Sequence, residues 1–113
     1  MRHISFSMTK PQFLDGTKTV TRRMGWTELC PGDYLTAVEK CMGLKKGQHQ
    51  IALGDIEVIS VRRERLDIID AKDCAREGFP EMAPGEFVAM FCKASRCKPD
   101  SPVTRIEFRR MPG

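Results

Sequence analysis

Hydrophobic and polar positions along the chain change period several times, and each change marks an element. Ile4 and Phe6 alternate with Ser5 and Ser7, a period of two that predicts a short first strand. Thr9 is placed to cap a short helix through Pro11, Phe13 and Leu14, which Gly16 closes. From Thr17 to Thr21, three threonines and a valine in five positions favour an extended chain, because β-branched side chains are stiff in a helix. Cys30-Pro31-Gly32-Asp33 is a turn, Tyr34 to Cys41 an apolar-rich strand, and Gly43 to Gln50 a loop. Ile56 to Val61 reads as a strand buried largely on both faces, running into Arg62-Arg63-Glu64-Arg65. Asp70 is an N-cap with Asp73 in the first turn and Gly78 as the stop, so Glu77 ends that helix. Pro84 and Glu86 open a second helix carrying Phe87, Val88, Met90 and Phe91. Past the Cys97–Pro102 loop, Val103, Arg105, Glu107 and Arg109 alternate with Thr104, Ile106 and Phe108, a half-buried last strand. The predicted order is β-α-β-β-β-α-α-β. Strands lie too close together for regular parallel crossovers, so the α+β class and a small mixed or antiparallel β-barrel with flanking helices are expected.

Size agrees with that picture: 113 residues predict a single domain over 1–113. A chain that is 41% hydrophobic and 30% charged has the balance of a folded globule, which excludes disorder as its main state. No apolar run approaches the roughly 20 residues that span a bilayer, and Met1 to Ser7 lacks the apolar stretch of a secretory signal. A cytoplasmic protein with no membrane partner is therefore expected. Five cysteines without an export signal read as reduced thiols. Cys92 and Cys97 form a close pair with no second pair to complete a zinc site, and His3 and His49 are isolated. Neither a metal nor a cofactor is expected.

Charge is where the sequence turns toward function. The net charge is +4, and residues 1–23 carry all of it, with Arg2, Lys10, Lys18, Arg22 and Arg23 against Asp15 alone. The remainder holds 14 basic and 14 acidic groups. A local anionic partner fits this better than a uniformly cationic surface, and a solvated basic face is the alternative. Arg62, Arg63 and Arg65 would widen the patch or merely balance Glu57 and Glu64.

The richest segment is Gly16-Thr17-Lys18-Thr19-Val20-Thr21-Arg22-Arg23. A lysine, three hydroxyls and two guanidiniums within seven residues suit a phosphate or a polar carbonyl. The glycine pattern is not that of a Walker loop. The segment resembles the signature of the ASCH domain, a small barrel related to PUA domains, whose pattern is Gly-x-Lys-x-x-Glu-x-Arg. Gly16, Lys18 and Arg23 match it in register, and Thr21 stands where that pattern has glutamate. Pro31-Gly32-Asp33, Arg76-Glu77-Gly78-Phe79 and Val103 to Phe108 extend the resemblance over nearly the whole chain.

What the resemblance implies is a PUA-like barrel that binds RNA or a small nucleoside or nucleotide. Its Lys-x-x-Thr branch is an amidohydrolase of N4-acetylcytidine, and by resemblance the catalytic lysine, threonine and glutamate fall on Lys18, Thr21 and Glu77, with Glu81 a neighbouring candidate for the carboxylate. Gly16, Thr19, Arg22, Arg23 and Trp26 would contact the ligand, Trp26 by stacking on a base. The chemistry sets two conditions. A threonine hydroxyl needs a base beside it, and lysine is one only if its pKa falls from about 10.4 toward neutrality. Residues 18 and 21 of a straight strand also point to opposite faces, so the chain must bend between them. Binding without cleavage is the expectation, with the amidohydrolase as the alternative. A ribonuclease ranks lowest for lack of a histidine pair, a protein-interaction module is a further option, and the oligomeric state stays open.

Overall fold

A computed structural model describes residues 2–40, 46–47 and 49–112. The elements run β1 (His3–Ser5), α1 (Lys10–Leu14), β2 (Val20–Arg23), β3 (Tyr34–Val38), β4 (Ala52–Arg65), a 3-10 turn (Leu66–Ile68), α2 (Ala71–Arg76), α3 (Pro84–Ser95) and β5 (Pro102–Arg110). Apart from the 3-10 turn this is the expected order. Cys41 and part of the expected 43–50 loop lie outside the described residues.

The strands form one mixed sheet in the order β1-β3-β4-β5-β2. Only β1 and β3 pair in parallel; the other neighbours are antiparallel. The expected barrel is not closed: β1 and β2 stand as its two edges, with no ladder between them among the described residues. Instead the Arg23 guanidinium of β2 spans the gap, donating from Nη2 to the Ser5 carbonyl of β1 at 2.6 Å.

Burial follows the strand alternation with two departures. Between Val58 and Ser60 the pairing of β4 with β5 shifts by one, leaving Ile59 without a partner in β5 and 42% exposed, not buried as expected. On β5, Arg105 is buried, where alternation had placed it on the wetter face. One apolar cluster gathers Ile4, Phe6, Phe13, Leu35, Ile56, Val58, Ile106 and Phe108. A second gathers Leu66, Ile69, Cys74, Phe87, Val88 and Val103. The helix starts are as expected: Asp70 accepts from the Asp73 amide at 2.8 Å, and Glu86 accepts from the Ala83 amide at 2.9 Å. Thr9 occupies the N-cap of α1 without a side-chain capping bond. Among the described residues, no helix is long and apolar enough to cross a membrane.

Candidate functional site

The open edge of β2 borders a cavity of about 220 Å³. Lys18, Thr21, Arg22, Arg23 and Glu77 supply polar groups to its wall, and Phe6, Phe79, Phe87, Met90 and Phe91 supply apolar ones. Two separate stretches of chain, the segment entering β2 and the end of α2, thus bring together the residues expected to be catalytic.

Local backbone explains the meeting of Lys18 and Thr21. The chain leaves α1 through Gly16 at φ +83°, and regular strand structure begins only at Val20. Residues 17–19 are held otherwise: the Lys18 amide donates to the Gln12 carbonyl at 3.0 Å and the Thr19 amide to the Arg76 carbonyl at 2.8 Å. Strand alternation therefore does not apply between positions 18 and 21, and both side chains reach one cavity.

Glu77 arrives from the end of α2. Gly78 follows at φ +103°, where a Cβ would lie 2.9 Å from Gln12 Cβ and 3.6 Å from Lys18 Cβ. Only glycine lets the end of α2 approach so closely. Lys18 Nζ donates to the Glu77 carbonyl at 2.7 Å and to Glu77 Oε1 at 2.9 Å. Arg22 Nη1 donates to the other oxygen, Oε2, at 3.2 Å. Lys18, Thr21, Arg22 and Glu77 are each at most 4% exposed. Burial pushes the Lys18 amine below its ordinary pKa; the Glu77 carboxylate pulls it partly back, and Arg23 and Arg22 deepen the fall. Glu81 is exposed and lies outside the cavity wall.

Arg22 is not a free cation awaiting an anion. Besides Glu77 it donates from Nη2 to Asp73 Oδ2 at 2.5 Å and to Glu64 Oε2 at 3.0 Å. Burial opposes its charge, but the bonds to Asp73 and Glu77 outweigh that and raise its proton affinity. Arg105 meets Asp73 with two bonds, 2.8 and 2.9 Å, a bidentate fork. The Arg105 guanidinium, helped by Arg22 and Arg76, holds the Asp73 carboxyl well below the usual carboxylate range against the effect of burial.

Arg23 leans the other way. Its Nε donates to Thr21 Oγ1 at 3.0 Å, and its guanidinium sits 5.2 Å from the Phe6 ring centre. Gly16, Thr19 and Trp26 are not among the residues lining the cavity. Trp26, at φ +55°, packs against the first apolar cluster, and the Arg2 guanidinium covers its ring at 3.8 Å. Sequence reasoning passed over Asp73, Glu64 and Arg105 as members of a buried network. Asp73 read as an ordinary first-turn acid and Arg105 as one step of an alternation. Phe6, Phe79, Phe87 and Phe91 also line the cavity, which the sequence pattern did not signal.

Solved structures share this architecture. Protein EF3133 from Enterococcus faecalis V583, of family DUF984, superposes with a TM-score of 0.71 at 15% identity, covering 97% of this chain and 79% of that one. An ASCH domain from Lactobacillus crispatus JV V101 gives a TM-score of 0.64 at 15% identity over 96% of this chain and 78% of that one. The chain has the fold of an ASCH domain. The hypothetical protein PH0355 shares it as well, with a TM-score of 0.65 at 13% identity, 97% of this chain and 96% of that one being covered. No family model and no curated protein matches at the level of sequence. Within the ASCH fold, then, the side chains of the cavity must carry any argument about function.

Proposed function

We propose that the cavity binds a nucleoside acylated on its base amine, of the N4-acylcytidine type, and hydrolyses that amide. The observation that carries this reading is the convergence of Lys18, Thr21 and Glu77, all buried, on a single cavity. A space of about 220 Å³ lined by both polar and aromatic side chains matches a base with its acyl group better than it matches a strand of nucleic acid. Lys18 and Arg22 are each engaged by carboxylates, so they suit an uncharged amide better than a phosphate.

In the reaction, Thr21 Oγ attacks the acyl carbon while Lys18, in the fraction of molecules where its amine is neutral, takes its proton. The tetrahedral adduct collapses, the C–N bond breaks, and Lys18 returns the proton to the departing base amine. Water then cleaves the acyl-threonine ester by the same proton path in reverse, releasing the carboxylic acid. Burial moves the amine pKa in the direction this requires, and Glu77 orients the amine through its 2.9 Å bond. Arg22 occupies the second Glu77 oxygen and so limits how far that carboxylate holds Lys18 protonated. Arg23, whose Nε donates to Thr21 Oγ1 at 3.0 Å, would ease the loss of the hydroxyl proton as that oxygen attacks.

The test is incubation of purified wild type and Thr21→Ala with N4-acetylcytidine, following cytidine by chromatography. Release by the wild type, lost in a folded Thr21→Ala, is expected. No release by the wild type, with binding to single-stranded RNA that weakens steeply with salt, would return the site to a binding role.

A further inference from the structure

Asp73 does not line the cavity, yet four bonds from three arginines end on it: Arg22 Nη2 at 2.5 Å, Arg105 at 2.8 and 2.9 Å, and Arg76 Nη1 at 3.0 Å. It is 4% exposed and sits on α2 one turn before Glu77, whose amide donates to the Asp73 carbonyl at 2.9 Å. Arg22 is the link between the two carboxylates. Its bond to Asp73 is short, while its bond to Glu77 Oε2, at 3.2 Å, is the longest it makes to a carboxylate. Where Arg22 rests therefore decides how much of the Glu77 charge is left for Lys18.

We propose that Asp73 is a positioning residue, which by anchoring Arg22 against Arg105 fixes how the Glu77 carboxylate is divided between Arg22 and Lys18. This rests on the catalytic reading of Lys18 given above, but it makes a claim about proton binding that stands apart from turnover. The charged groups facing Lys18 are Glu77 from the end of α2 and Arg22 and Arg23 from β2. Those around Asp73 are Arg22 from β2, Arg105 from β5 and Arg76 from its own helix; Glu64 of β4 contacts Arg22, and Asp70 caps the helix. Glu107 adds to the field at Arg105, and the Cys74 thiol, next in sequence, is raised in pKa by burial and stays neutral.

Two substitutions move this balance in opposite directions. In Asp73→Asn the pull on Arg22 is lost, Arg22 settles on Glu77, and Lys18 keeps a smaller share of the carboxylate. Lys18 then gives up its proton at a pH lower by about one unit, as expected for a unit charge removed one side chain away in a buried site. In Arg105→Gln the freed Asp73 draws Arg22 away from Glu77, and Lys18 titrates at higher pH by a similar step.

The experiment is NMR titration of protein labelled with 13Cε-lysine, the Lys18 signal being assigned by its loss in Lys18→Met, with cytidine release measured in parallel. A fall in Asp73→Asn and a rise in Arg105→Gln support the proposal. Asp73→Glu should lie between the wild type and Asp73→Asn. If Asp73→Asn does not fold, the rise in Arg105→Gln carries the test alone. A Lys18 titration left at its wild-type position in either folded variant, or moved the opposite way, overturns the proposal. Shifts of the stated sign in a protein that releases no cytidine would refute the hydrolase and leave the positioning role standing.

Discussion

Replacing Glu77 by glutamine keeps the shape of the site and removes the charge that Lys18 and Arg22 share. Breaking a buried ion pair from one side costs about 3–5 kcal/mol, because the remaining ion stays buried without compensation. Arg22 retains Asp73 and Glu64, so the burden falls on Lys18. Lys18 has an escape that arginine lacks, since it can fold as the neutral amine. Losing a proton at pH 7 that the unfolded chain holds up to about pH 10.4 costs at most about 4.6 kcal/mol, at about 1.4 kcal/mol per unit. The same step at pH 9 costs at most about 1.9 kcal/mol. The sign follows from proton counting. Burial already lowers the folded Lys18 pKa, Glu77→Gln lowers it further, and the unfolded chain binds the extra proton, so stability of the variant rises with pH. Urea denaturation of wild type and Glu77→Gln at several pH values reads this directly. The deficit of the variant should shrink by up to about 1.4 kcal/mol per unit as pH rises from 7 toward 9. Lys18→Met combined with Glu77→Gln should lose that dependence. A deficit that stays constant with pH would show that Lys18 does not titrate in the variant, and the account of the site would be wrong.

Gly78→Ala places a Cβ 2.9 Å from Gln12 Cβ at φ +103°, and should cost about 2–4 kcal/mol in thermal or urea unfolding. Because Gly78 holds the end of α2 against Lys18, cytidine release should fall as well; an unchanged Tm would refute the close approach. Phe87→Ala opens the second apolar cluster and the cavity wall together, with a loss of about 3–5 kcal/mol by urea denaturation. A loss under about 1 kcal/mol would mean that Phe87 is not a packing residue.

Much of the fold was legible because its signals are local. Asp70, Asp73 and Gly78 mark α2 within nine residues, and Pro84 and Glu86 mark the start of α3. Sheet order was not legible, since hydrophobic alternation reports which face a residue takes and not which strand lies beside it. The barrel expectation failed on the same point. Of the candidate site, Lys18, Thr21 and Arg23 share one short segment and could be found together, and Glu77 was reached through the family resemblance. Asp73, Glu64 and Arg105 come from three elements, and their meeting depends on packing that no local pattern encodes. Arg105 in particular departs from the burial its alternation predicts, because Asp73 of α2 meets it on its own face of the sheet. Trp26, expected to stack on a base, has its ring covered by Arg2.

The unpaired Ile59 in β4 has a consequence for parity. From Ile56 and Val58, strict alternation would carry the same face on to Ser60, Arg62 and Glu64. The extra residue advances the phase by one, so that Val61 instead joins the cluster of Ile56 and Val58. Ser60 and Glu64 are turned to the opposite side, where they meet Glu107 and Arg22. The ion network is thus counted into place from some distance along the strand. Were Ile59 drawn into the ladder as an ordinary step, the sense of all that follows in β4 would invert, delivering a carboxylate to the oily side and a valine to the charges, whereas a deletion at position 59 would leave it unchanged.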